Sequence, residues 1–264
     1  MNIPQPLPDK LKIARSFGDA AVTYDRYAHL QRDIAEKLLS ELNSVGAGQV
    51  LDLGSGTGHC AGEILSRFPP AEITSLDIAE DMLVYAKNEK AHVGKAWVCG
   101  DAEELPFRND SFDLIVSNLT MQWCHNPEHI FFELLRVLKP GGKALLSTLA
   151  ENTLFELKES WARVDDFVHV NYFLSVDAIG SALSKQTFAH KQLSNSQETY
   201  YYESLQALSD ELKGIGASNL NTGQDNGLTG KSKVRKLKSE FEQHRETGKG
   251  IPVTYDLVLI SLVK

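Results

Sequence analysis

The chain has 264 residues, 42% hydrophobic and 23% charged, with a formal net charge of −8. That is an ordinary composition with room for one large α/β domain and a proper core. The acidic balance argues against nucleic acid as the main partner, because neutralising phosphates needs a positive surface.

Amphipathic helical pattern runs from about Leu11 to Leu42, with Ile34, Leu38, Leu39 and Leu42 at helical spacing. The segment before it lacks the apolar core and cleavage pattern of a signal peptide. Strand-like runs then fall at 49–53, 72–76, 96–99, 112–117 and 143–148, with helical stretches at 58–67, 80–90 and 127–138. Such alternation implies right-handed βαβ crossovers and a parallel sheet. "KPGG" at 139–142 reads as a sharp helix stop followed by a strand start. Beyond 149 the pattern gives helices within 153–184, a strand at 190–202, and a polar helical stretch at 204–247 broken by glycines at 214–230. A strand at 253–264 closes the chain. No repeat is visible, and a single domain spanning 1–264, with an insertion at 204–250 before the last strand, fits best. The longest apolar runs, such as 257–263, are far too short to span a membrane. Cys60, Cys99 and Cys124 are widely spaced and suggest neither zinc nor disulfides, which suits a reducing cytoplasm.

The opening "QVLDLGSGTGHC" at 49–60 is strand, glycine loop and helix, a nucleotide-binding start that several cofactors share. Its spacing is GxGxG, with His59 where a dinucleotide fingerprint has its third glycine, and no Walker lysine is present. Asp77 ends the second strand, where a carboxylate can accept both ribose hydroxyls. A nicotinamide cofactor would also want that. Asp101, after the third strand, suits an exocyclic adenine amine, since a carboxylate only accepts hydrogen bonds; it could equally cap the helix-like "AEEL". Asn118 ends the fourth strand. His59 and Cys60 read as packing beneath the loop.

Together "LDLGSGTG", "LDIAEDML", "GDAEELPF", "FDLIVSN" and "LLRVLKPGG" resemble the class I S-adenosylmethionine-dependent methyltransferases over 49–148. The resemblance implies a Rossmann-like fold: a mostly parallel seven-stranded sheet with helices on both faces. It further implies an N-terminal helical lid at 11–45, a cofactor core at 49–150, and substrate-side helices in 151–264. By the same resemblance S-adenosyl-L-methionine is the cofactor. Gly54, Ser55, Gly56 and Gly58 would wrap its methionine end, and Asp77 its ribose. Ile78 and Met82 would flank the adenine, Asp101 with Ala102 would read its edge, and Asn118 would lie near the sulfonium. No metal is implied.

"SNLTMQWCHNP", "VDDFVHVNYFLS", "ELKGIGASNLNTG" and "PVTYDLVLI", with the N-terminal "FGDAAVTYDRYAHLQ", are similar to the malonyl-acyl-carrier-protein O-methyltransferase family of biotin synthesis. "LKGIGA" and "QWC" are the most telling pieces. The family often carries an arginine where this chain has Tyr172. The similarity implies methylation of a free carboxylate, which is ionised at neutral pH and needs no general base. A cation should then hold the carboxylate, and Lys213, His169, Asn171 and Tyr24 are the substrate-positioning candidates. The run "KSKVRKLK" offers Lys231, Lys233, Arg235, Lys236 and Lys238 as a dock for an acidic carrier protein, or as a solvated helix face. The rivals are a quinone-pathway carbon methyltransferase, which would need a base, a nicotinamide oxidoreductase, and a noncatalytic S-adenosylmethionine-binding protein.

Overall fold

The computed structural model describes residues 9–42, 48–69, 71–89, 94–218 and 230–264. Residues 43–45 of the expected lid, residue 90 of the second crossover helix and 219–229 of the glycine-rich break lie outside the described residues. The N-terminal helical pattern divides into α1 (Lys10–Tyr27) and α2 (His29–Ser40), because Ala28 leaves the helical region at φ −80°, ψ 46°. Arg32 donates to the Asp25 carbonyl (2.6 Å), so a side chain of α2 satisfies one of the last open carbonyls of α1.

The alternation expected from sequence follows as β1 (Gln49–Leu53), α3 (His59–Arg67), β2 (Glu72–Asp77), α4 (Glu80–Glu89), β3 (Ala96–Cys99), β4 (Phe112–Asn118), α5 (Pro127–Val137) and β5 (Leu138–Leu149). The remainder is α6 (Phe155–Ala162), α7 (Val176–Ser184), β6 (His190–Tyr202), α8 (Leu205–Gly214), α9 (Lys231–Glu242) and β7 (Ile251–Val263). The seven strands form one sheet in the order β3-β2-β1-β4-β5-β7-β6. Strands β1 to β5 run parallel, and β7 lies antiparallel between β5 and β6.

Apolar runs in β1, β4 and β5 place those strands at the centre, buried on both faces. Ile115 and Leu146 pack with α5 and α7 on one face, while Val50 and Val116 pack with α2 and α3 on the other. Polar β6 takes the edge, where its alternate side chains meet water. The expected stop at "KPGG" is different in kind. Strand β5 already starts at Leu138, and 139–142 is absorbed as a bulge where the pairing jumps from Phe112↔Leu138 to Leu114↔Lys143. Strand order reverses between β1 and β4, and a crevice outside their carboxyl ends is the place where such sheets bind ligands.

Candidate active site

At that crevice β1 is followed by Gly54, whose backbone is left-handed (φ 71°). A Cβ there would stand 2.0 Å from Thr120 Oγ1, so only glycine lets the loop pass beneath the end of β4. The amides of Gly54 and Ser55 both donate to the Leu76 carbonyl (2.7 and 3.0 Å), tying the loop to β2. Gly56 faces open space and donates its amide to Asp77 Oδ2 (2.8 Å). Gly58 is the left-handed residue that starts α3.

Asp77 therefore has a structural duty before any ligand arrives. Its Oδ1 accepts from the Ala79 amide (2.8 Å), and burial pushes its carboxyl up while these backbone bonds hold it down. The Ile78 amide acts on the same carboxylate, which with about four lone-pair sites still keeps room for a hydroxyl. Asp101 caps a turn and also lines the cleft. Its Oδ1 accepts from the Glu103 amide (2.9 Å) as a turn cap, and its Oδ2 faces the cavity wall, paired with Lys10 Nζ at 2.5 Å. Lys10 also pairs with Glu103 (2.5 Å), so the first residue of α1 is latched to the turn after β3.

The resulting cleft, about 690 Å³, is lined by Gly54, Gly56, Asp77, Ile78, Met82, Asp101, Ala102, Asn118 and Tyr24. Sequence reasoning missed Lys10, Phe17, Thr120 and Trp123, which also line it. Ser55 lies next door instead, in a cavity of about 420 Å³ that includes Asp25, Gln31, Arg32, Thr57 and His59. Here Ser55 Oγ and Gln31 Oε1 are buried without a hydrogen-bond partner among the described residues. A buried orphan donor and acceptor beside a guanidinium fit a group that carries both an ammonium and a carboxylate. Asp52, on the same wall, is pushed up to about 7 by burial, against one bond from the Ala61 amide.

A third cavity of about 560 Å³ adjoins the cleft, and the two share Phe17, Tyr24, Leu119 and Trp123. Its other walls come from Gln122, Leu154, Asn171, Phe173, Leu212 and Tyr255. Among the described residues that line this chamber there is no Lys, Arg, His, Asp or Glu. Tyr24 stands where cleft and chamber meet. Burial first, and the Asp77 charge second, push its phenol above the ordinary tyrosine range, so it remains a donor.

The other substrate candidates are placed differently. Asn171 lines the chamber and donates to the Ser218 carbonyl (3.1 Å). His169 lies in an outer groove of about 860 Å³, stacked on Trp161 (centroids 3.5 Å apart) and bonded to Asp165 (2.6 Å). That groove shares Asn171 and Phe173 with the chamber. Lys213 corrects expectation: it is exposed on α8 and lines neither cleft nor chamber. Neighbouring Gly214 and Gly216 explain why "LKGIGA" stands out. A Cβ on Gly214 would fall 2.2 Å from the Tyr27 ring, and Thr23 and Ser16 donate to the two glycine carbonyls (2.8 and 2.9 Å). The stretch seats α1 against α8. Tyr172 is exposed on the groove, away from the chamber.

The basic run forms α9. Lys231, Arg235, Lys236 and Lys238 are exposed, whereas Lys233 turns inward to Asp165 (2.9 Å). Lys233 first and His169 second hold the Asp165 carboxyl well below the usual range. Lys233 is thus a tie between α9 and the loop after α6, which corrects its place in the expected dock.

Comparisons with known proteins fit this geometry. The family described as a methyltransferase domain matches residues 51–146. The chain is 38% identical over 248 residues to a malonyl-[acyl-carrier protein] O-methyltransferase of Hahella chejuensis, covering 94% of this chain and 88% of that one. It is 37% identical to the protein of the same name from Methylococcus capsulatus, covering 97% and 94%. A biotin biosynthesis bifunctional protein BioHC of Cellvibrio japonicus is 40% identical over 97% of this chain but only 50% of its own length. The chain thus spans about half of such bifunctional relatives. Among solved structures, the YcgJ protein of Bacillus subtilis superposes with a TM-score of 0.63 at 20% identity, covering 88% of this chain and 98% of that one. That likeness shows the fold.

Proposed function

The chain belongs to the malonyl-[acyl-carrier protein] O-methyltransferase family, and from that premise we propose that it methylates the free carboxylate of a malonyl thioester on an acyl-carrier protein. The observation that carries this reading is the wall shared by a cleft that presents two carboxylates, Asp77 and Asp101, and a chamber lined by none among the described residues. When bound, S-adenosyl-L-methionine supplies an electrophilic methyl group on a sulfonium. Asp77 would hold its ribose, Asp101 and Ala102 the adenine edge, and Ile78 and Met82 the adenine faces. Gly54, Gly56, Ser55, Gln31 and Arg32 would hold the methionine end, with Asn118 beside the sulfonium. The orphaned Ser55 and Gln31 atoms support that fit.

The chain's own work is orientation and exclusion of water, which together are worth roughly 7–11 kcal/mol. No base is required for a carboxylate with a reference pKa near ~4. Carbon methylation would require one, and among the described residues the chamber offers only the tyrosines Tyr24 and Tyr255 as titratable groups. The expected cation also yields to a different solution. Transfer consumes both the positive sulfonium and the negative carboxylate, so a medium of low dielectric disfavours the charged reactants more than the neutralising transition state. A lysine fixed in the chamber would stabilise the anion and blunt it. Lys158 stays behind the wall, its ammonium 5.3 Å from the Phe173 ring centroid.

The whole chain acts as one domain in this reading, with α1 and α2 as the lid. Lys231, Arg235 and Lys238, spaced i, i+4 and i+7 on α9, present one basic face to an acidic carrier. The outer groove is the side from which a tethered thioester would reach the chamber. We place this chemistry in the cytoplasm, in keeping with the unpaired thiols of Cys60, Cys99 and Cys124; no helix among the described residues is long and apolar enough to cross a membrane. The test is methyl transfer from labelled cofactor to malonyl-carrier protein, malonyl-coenzyme A and free malonate in parallel. Label should appear as a base-labile ester on the carrier. Label on a carbon nucleophile and none on any malonyl substrate would overturn the reading.

A further inference from the structure

Gln122 belongs to the "QWC" stretch, which so far has no chemical task. It sits on the 3-10 turn Met121–Trp123, directly after the Thr120 that closes over Gly54, and it lines the chamber. Its Oε1 accepts a hydrogen bond from Thr148 Oγ1 (3.1 Å), and Thr148 is only 1% exposed on β5. That bond fixes the amide: the oxygen is turned to the sheet, and the NH2 group is left to the cavity with no protein partner among the described residues.

Two other neutral polar side chains of the chamber lack a partner among the described residues: the Tyr24 phenol at its mouth and Gln31 Oε1, which is an acceptor and so cannot hold a carboxylate. Three more are already engaged. Thr153 Oγ1 accepts from the Asp256 amide (3.0 Å), Asn171 donates to Ser218, and Tyr255 pairs with Tyr202 (3.4 Å). The Trp123 ring packs edge-on against Phe17, with centroids 5.1 Å apart. We propose that Gln122, oriented by Thr148, is the specificity-determining donor that reads the acceptor's free carboxylate. This rests on the function proposed above.

An amide suits the task where a lysine would not. It offers two N–H donors and no net charge, so it aligns one carboxylate oxygen and leaves the other oxygen's lone pair available. In the transfer that lone pair forms the new O–CH3 bond as the S–CH3 bond breaks; the sulfur keeps the bonding pair as a thioether, and no proton moves. The ester that results is a weaker acceptor than the carboxylate, so the same donor relaxes its hold on the product. An acetyl thioester has nothing for Gln122 to hold.

The test compares wild type with Gln122→Met, Gln122→Lys and Thr148→Val. Calorimetry with malonyl- and acetyl-pantetheine, and separately with S-adenosylhomocysteine, accompanies the kinetics. Gln122→Met should lose roughly 10- to 100-fold in malonyl affinity and in kcat/KM, the scale of a lost hydrogen bond to a charged group, with S-adenosylhomocysteine affinity intact. Thr148→Val should cost severalfold in KM. Gln122→Lys should bind malonyl-pantetheine more tightly yet turn it over more slowly, a split that a merely structural residue would not produce. Wild-type discrimination between malonyl and acetyl in Gln122→Met overturns the inference. So does a loss of S-adenosylhomocysteine affinity in step with the malonyl loss, which would make Gln122 a prop for the cleft. If wild type itself neither prefers malonyl-pantetheine nor methylates a malonyl thioester, the proposed function fails instead.

Discussion

The cleft at the ends of β1 and β2 and the chamber beside it share four wall residues and a largely apolar lining, yet among the described residues only the cleft carries charged side chains. Beside its apolar groups the cleft presents glycine turns and two carboxylates, Asp77 and Asp101, each anchored by backbone amides. The chamber is built from aromatic and aliphatic groups, with neutral donors such as Tyr24 and Gln122. Hydroxyls and amines of a nucleoside need fixed acceptors, whereas a reaction that cancels two charges gains from a place with none. In the proposed function one site would recognise by charge, and the other would select by its absence.

The largest effect should come from closing the cleft. Gly54→Ala forces a side chain against Thr120 in a left-handed conformation, at a cost of about 2–6 kcal/mol from strain and overpacking combined. Affinity for S-adenosylhomocysteine should fall at least ~100-fold by calorimetry, with a lowered Tm. Near-normal binding would mean that Thr120 moves aside and the loop is softer than its geometry states.

Next comes Asp52, the carboxyl that burial penalises most visibly. Its folded pKa of about 7 lies above the unfolded value near ~3.9, so the folded state binds the extra proton between them. The contribution to stability is full below the unfolded value and is lost as pH rises through about 7. Asp52→Asn keeps an acceptor for the Ala61 amide and removes that slope. Its Tm relative to wild type should therefore rise from pH 5 to pH 8, with a ceiling of roughly 3 kcal/mol over that range. A difference independent of pH would show that Asp52 ionises normally, and the cleft would then tolerate buried charge better than the contrast with the chamber implies.

The same division decides what could be read in advance. Strands 49–53, 96–99 and 190–202 match the sequence pattern at both ends, because apolar runs and turn residues are local signals. Asp77 and Asp101 were legible since strand ends carry them into one crevice at fixed distances from the glycines. The chamber was not legible. Its walls come from α1, the turn after β4, the loop before α7, α8 and β7, and only packing brings them together. Lys213 illustrates the failure: a distinctive stretch was noticed, but its distinctiveness belongs to two glycines that fit α1. Lys10 had no signal at all, lying 91 residues from its partner Asp101.

Lys10 also provides a smaller test of the contrast. Among the described residues it is the one cation on the wall of the cleft, and it joins the lid to the carboxylate proposed to read adenine. The pair is about a third exposed, so its worth is that of a screened surface bridge, about 0.2–1 kcal/mol. Lys10→Met should speed amide hydrogen exchange in the first turns of α1 by a few-fold and weaken S-adenosylhomocysteine by about two- to fivefold. Both differences should shrink in high salt. Unchanged exchange would detach the lid from the cleft.

The smallest effect concerns charge at the molecule's surface. Lys231, Arg235 and Lys238 share one exposed face of α9, while Lys233 is held by Asp165. Reversing the three exposed cations to Glu should raise KM for malonyl-carrier protein severalfold at low salt and leave kcat alone, because such charges act on encounter and are screened beyond about 8 Å at physiological ionic strength. Turnover of malonyl-coenzyme A, where it occurs, should hardly change, since a small thioester needs no protein dock. Lys233→Glu should behave otherwise. It places a second carboxylate beside Asp165, so it should lower Tm and impair both substrates alike. If the triple reversal also affects both substrates equally, α9 matters for folding alone. If neither substrate responds, the basic face is solvated surface, and recognition of the carrier rests with the groove and the uncharged chamber behind it.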